Sequence, residues 1–170
     1  MHKKITTFLL LLLITSAFAQ VPDVVIRTLD HKNVHLRDYV GEPRLLRPDA
    51  SRYGTVLVFF RTDDPTLESW FDDLNRLIKE TKTAKRKFFY VAVNQDVEIL
   101  KTFKQSHKLS APLYMDVFNV CASLLESVPG TLTSGPGIVI YQPDGTFVEK
   151  FVPFQSHQAD HLKSAINRLP

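Results

Sequence analysis

The chain has 170 residues, with 21 Lys and Arg against 18 Asp and Glu, and a single cysteine, Cys121. One cysteine excludes an intrachain disulfide and any dithiol chemistry within the chain, and a formal charge of +3 is too small to point to nucleic acid.

Residues 1–19 carry Lys3 and Lys4, an apolar core from Phe8 to Ile14, and Ala17, Phe18 and Ala19 before Gln20. This is the order of a secretory signal peptide, and the core is too short to span a bilayer. A retained N-terminal anchor is the alternative. No cysteine follows the core, so the cleavage site is unlike that of a lipoprotein. Removing residues 1–19 takes away Lys3 and Lys4, lowering the charge from +3 to +1, and leaves residues 20–170 as one domain with no membrane span.

Residues 24–29 and 34–36, separated by Asp30, His31, Lys32 and Asn33, predict a β-hairpin. Residues 44–54 follow as an expected loop insertion, in which Arg44, Arg47 and Arg52 mix with Leu45, Leu46 and Tyr53. The central stretch comes next. Val56, Leu57, Val58, Phe59 and Phe60 predict a strand buried on both faces. Asp64 reads as a helix N-cap with Pro65 at the first helical position, and Leu67, Trp70, Phe71, Leu74, Leu77 and Ile78 form one apolar helical stripe. The basic run from Lys79 to Lys87 ends that helix and reads as solvated charge.

A second buried strand is expected at residues 88–93, then a polar break at 94–96 and a helix marked by Val97, Leu100 and Phe103. Cys121 lies in an apolar, helix-like stretch. It reads as a buried small hydrophobe, with an exposed thiol open to a mixed disulfide as the alternative. Residues 137–141, the turn at 142–145 and residues 146–152 predict an antiparallel pair. Ser156 is expected to cap a last helix with Leu162, Ala165, Ile166 and Leu169 inward. Strands alternating with helices predict an α/β domain, a central mixed β-sheet flanked by helices, with parallel central strands and an N-terminal β-hairpin.

The strand ending in a polar turn at a helix start resembles the redox site of the TlpA/ResA-like branch of the thioredoxin superfamily, whose strand runs into Trp-Cys-Pro-x-Cys. On that resemblance Asp64 falls at the first cysteine, Pro65 at the proline and Leu67 at the second cysteine. The phrases from Pro22 and Asp23 to Leu29, from Val34 to Tyr39, and at Gly41, Glu42 and Pro43 resemble the start of the same redoxin-like domains. The resemblance implies a thioredoxin-like fold over nearly all of residues 20–170, and places Gly135 and Pro136 at the segment whose proline is cis and faces the active site in that family.

Disulfide exchange needs a thiolate and a resolving sulfur, and neither position has one. The reading is therefore an exported, periplasmic or secreted, non-catalytic module with a protein or peptide partner, no nucleic acid and no cofactor. Its surface would comprise Asp63, Asp64, Pro65, Leu67, Gly135 and Pro136. Two alternatives stay open, a redox participant acting through Cys121 and weak metal binding through His157 and His161 at helical i, i+4 spacing. Asp63 and Asp64 side by side could bind a cation or a basic peptide, but Asp64 is already accounted for as a cap and too few oxygen ligands accompany them, and His31 and His35 across the hairpin are no stronger as ligands.

Overall fold

The computed structural model describes residues 24–40, 52–93, 96–118, 120, 124 and 135–170. Residues 1–19, most of the expected insertion, and Cys121 lie outside them. Strand β1 (Val25–Thr28) and β2 (Asn33–His35) form the N-terminal hairpin. After β3 (Gly54–Phe60) come α1 (Leu67–Thr81), β4 (Arg86–Ala92), α2 (Val97–Ser106) and β5 (Leu113–Met115). The chain closes with β6 (Gly137–Tyr141), β7 (Phe147–Phe151) and α3 (Ala159–Asn167).

The strands form one mixed sheet in the order β2-β1-β5-β4-β3-β6-β7. All seven residues of β3 are buried, because β3 runs parallel to β4 on one side and antiparallel to β6 on the other, with both its faces covered. Alternation along it divides the core. Val56, Val58 and Phe60 face the side packed by Trp70, Phe71 and Leu74 of α1, Leu100 of α2 and Leu162 of α3. Leu57 and Phe59 face the other side, with Ile26, Leu36, Val40, Val120 and Leu124. No helix among the described residues is long and apolar enough to cross a membrane.

The six-residue apolar stripe of α1 is buried as its spacing dictates. The helix start differs. Its first residue is Leu67 and its N-cap position is Thr66, two residues past the expected cap at Asp64. The carboxylate of Asp64 instead closes the turn before the helix, accepting from Thr66 N–H at 2.8 Å, while its carbonyl accepts from Leu67 N–H at 3.0 Å. Before the last helix, whose N-cap position is Gln158 and not the expected Ser156, Gln155 caps a 3₁₀ turn. Gln155 and Gln158 exchange side-chain and backbone hydrogen bonds around the 3₁₀ turn Ser156–Gln158, and the Ser156 hydroxyl donates to Ser69 O. Asp96, part of the expected polar break, caps α2 by accepting from Glu98 and Ile99 N–H. Gly54, expected in the insertion, already belongs to β3, paired with Arg86.

Candidate functional site: the turn at Asp64 and the Gly135 crossbar

The buried β3 ends at Phe60, and six residues carry the chain to the first turn of α1. Arg61 and Asp63 pair within this turn through two hydrogen bonds, at 2.9 and 2.7 Å. Asp64 turns the other way. Its Oδ1 accepts from the Thr66 N–H and hydroxyl, both at 2.8 Å, and its Oδ2 accepts from the Gly135 N–H at 2.8 Å. The adjacent carboxylates thus serve different partners, which argues against a shared cation between them.

The Gly135 bond crosses 71 residues of sequence and ties the α1 turn to the segment leading into β6. That segment is fixed from its far side too, since Pro136 O accepts from Phe154 N–H at 2.7 Å. Gly135 has φ +79°, and a Cβ there would come within 3.1 Å of Phe154 O and 3.2 Å of Pro153 Cβ. The positive φ favours glycine, and a side chain there would also press on the Phe154 carbonyl and on Pro153. The peptide bond before Pro136 is trans. The cis bond among the described residues is Val152–Pro153, after β7.

Burial by itself pushes the Asp64 carboxyl up. The donors from the Thr66 backbone and hydroxyl, from the Gly135 backbone and from the Trp70 indole outweigh it, and the group is held below its ordinary value. The indole contribution is the weakest of these, because Trp70 Nε1 meets no acceptor in good hydrogen-bond geometry although it is buried on that side. The anion also sits at the start of a 15-residue helix, where the macrodipole favours negative charge. Both of its oxygens are engaged, so the group acts as a crossbar between two chain segments.

Beside the crossbar is a cleft of about 200 Å³, with Thr66, Ser69 and Trp70 on one wall and Gly135, Pro153 and Phe154 on the other. Of the residues expected at the surface, Pro65 is exposed, Asp64 and Gly135 are half-buried, and Leu67 and Pro136 are buried in the fold. Thr66, Trp70, Pro153 and Phe154 belong to the site and were not foreseen. Thr66 and Trp70 had a signal, since residues beside a cap and a stripe residue in the first helical turn must lie near that helix start. Pro153 and Phe154 had none.

The histidines are dispersed. His161 on α3 pairs with Glu149 at 2.9 Å and stands edge-on to Phe151, whereas His157 lies in the preceding 3₁₀ turn and is exposed. Among the described residues no group of three or more His, Cys, Asp or Glu is placed to hold a metal ion. Cys121 lies outside the described residues.

No family model matches the chain, and neither does any curated protein sequence. Solved structures do. MTB DsbF, in mixed oxidised and reduced forms, is 16% identical with a TM-score of 0.65, over 88% of this chain and 99% of that one. A secreted Mycobacterium tuberculosis disulfide oxidoreductase homologous to DsbE is 18% identical with a TM-score of 0.62, over 86% and 96%. A thiol:disulfide interchange protein of the thioredoxin family from Chlorobium tepidum is 17% identical with a TM-score of 0.64, over 88% and 94%. The chain has the thioredoxin-like fold of these oxidoreductases, carried by a sequence whose single cysteine cannot supply a Cys-x-x-Cys pair.

Proposed function

We propose that the chain is a non-catalytic protein- or peptide-binding module, exported to the periplasm or beyond, in which the redox position of a thioredoxin-like fold has become a structural tie. The observation that carries this reading is the Asp64 carboxylate, which stands where the resemblance puts the first cysteine and accepts from Thr66 and Gly135. A carboxylate there is not a nucleophile for disulfides, and with both oxygens engaged it holds a neighbouring cleft in shape. A preorganised cleft lowers the ordering cost of binding, which is what a module that only binds requires. Export is supported by the order of residues 1–19 and by the similarity to a secreted oxidoreductase.

The test is insulin reduction and peroxide turnover by the chain and by its Cys121→Ser variant, alongside capture of thiol-blocked unfolded polypeptide. The expected outcome is background turnover in both and equal capture by both. Turnover that Cys121→Ser abolishes would replace this reading with a thiol-dependent one.

A further inference from the structure

A second cavity, of about 380 Å³, lies where β4 enters the sheet. Gly54 pairs with Arg86 at that end and Phe60 with Ala92 at the other, so the cavity and the Asp64 turn are separated by the length of β3, roughly 20 Å. The floor of the cavity is aromatic. Tyr39 and Tyr114 flank Phe89 with ring centroids at 5.2 and 5.4 Å. Among the described residues neither phenol hydroxyl has a hydrogen-bond partner, and both tyrosines are half-buried.

Among the described residues the walls carry Lys82, Arg86 and Lys87 and no carboxylate. Arg86 is committed elsewhere, donating to Thr81 O, Leu169 O and Pro170 O and so clamping the C-terminus of the chain to the end of α1. Among the described residues neither lysine is paired with an anion. Lys82 Nζ reaches only a neutral acceptor, Ser110 O at 3.2 Å, and Lys87 Nζ rests 4.5 Å above the Tyr53 ring. A pocket of small-ligand size, with an aromatic floor of inclined rings, and with two phenols and two lysines that no described residue engages as hydrogen-bond partner or counter-ion, is complementary to one chemistry.

We propose that this cavity is a binding site for a small aryl carboxylate, with its ring against Phe89, Tyr39 and Tyr114 and its anionic group between Lys82 and Lys87. The site is independent of the cleft at Asp64. An aryl carboxylate can be a free small molecule or the C-terminus of a peptide ending in an aromatic residue, and the two are separable by probe.

The experiment is an NMR titration of the isotope-labelled chain with naphthalene-2-carboxylate, the neutral 2-naphthamide and the cationic 2-naphthylmethylamine. The carboxylate is expected to shift the amides of Lys87, Phe89 and Tyr114 saturably, to bind at least about tenfold more tightly than the amide, and to weaken as salt is raised. The amine should not bind. Lys82→Gln with Lys87→Gln should reduce carboxylate affinity about tenfold and leave the amide unaffected. Lys82→Gln alone, at an exposed position, serves if the double variant does not fold. N-acetylphenylalanine binding more tightly than the naphthoate would assign the site to a peptide C-terminus, and the reverse order to a free acid. Equal affinity for carboxylate and amide, shifts centred elsewhere, or no saturable shift at millimolar probe would overturn the proposal.

Discussion

Replacement of Asp64 by Asn separates the crossbar from the turn. Asn keeps an acceptor oxygen for the two Thr66 donors, but its amide must then face the Gly135 N–H, so that two donors meet where a 2.8 Å bond stood. Losing one bond to a charged acceptor and leaving its donor poorly paired costs about 1 kcal/mol at a half-exposed site, where water takes part of the lost role. Asp64→Ala removes the Thr66 bonds as well and should cost about 2 kcal/mol. For a chain of this length each kcal/mol lowers Tm by about 2–4 °C. The pH dependence gives the sharper signature. Because the folded carboxyl lies below its ordinary 3.8, its contribution is complete above that value and is lost as pH falls through the folded pKa. Urea melts followed by far-ultraviolet circular dichroism should therefore show a gap between parent and Asp64→Asn at pH 7 that shrinks below pH 3.8. Equal stability of the two at pH 7, or a gap that does not shrink in acid, would refute the crossbar.

Three further expectations follow from the same geometry. Asp64→Cys with Leu67→Cys places two thiols three residues apart across the turn that leads into α1, where Leu67 N–H donates to Asp64 O at 3.0 Å, so mild oxidant should close an intramolecular disulfide, read as a loss of two hydrogens by mass spectrometry of a Cys121→Ser background. Leu67 is buried, and that variant should be about 2 kcal/mol less stable than its parent. Asn75→Ala should cost about 2–3 kcal/mol by chemical denaturation. It strands the Tyr90 hydroxyl and the Ser110 N–H, both of which donate to Asn75 Oδ1, and removes the bond from Asn75 Nδ2 to Lys108 O. His157→Ala with His161→Ala should cost less than about 1 kcal/mol, and zinc should not shift the melting temperature of the parent, since Glu149 stays paired with Arg168 at 2.8 Å when His161 is gone.

The apolar periodicities that specify burial were legible. The α1 stripe, the β3 run and the inward positions of α3 all occupy the core, because only one arrangement of a 3.6-residue stripe against a two-faced strand buries them together. Asp64 was legible as a carboxylate at the helix start, read as the N-cap where it in fact closes the preceding turn, and illegible as a crossbar, since its bond to Gly135 is created by tertiary approach of distant segments. The cap at Thr66 differs from the expected cap by two residues because Asp64 and Pro65 form their own turn before the helix. An X-Pro dipeptide does not encode its isomer, and the surrounding fold sets cis at Pro153 and trans at Pro136. The basic run from Lys79 to Lys87 reads as solvated charge, yet strand alternation turns Lys87 toward Phe89 and Tyr53 and so builds one wall of a cavity.

The central claim, binding without thiol chemistry at the Asp64 cleft, is tested most directly by an amide and indole NMR titration of the Cys121→Ser chain with reduced, carboxymethylated lactalbumin. The account predicts saturable shifts at Thr66, Ser69, Gly135, Phe154 and the indole N–H of Trp70, the only tryptophan in the chain, equal in size to those of the parent. No saturable shift at these residues, or binding that disappears with the Cys121 sulfur, would contradict it.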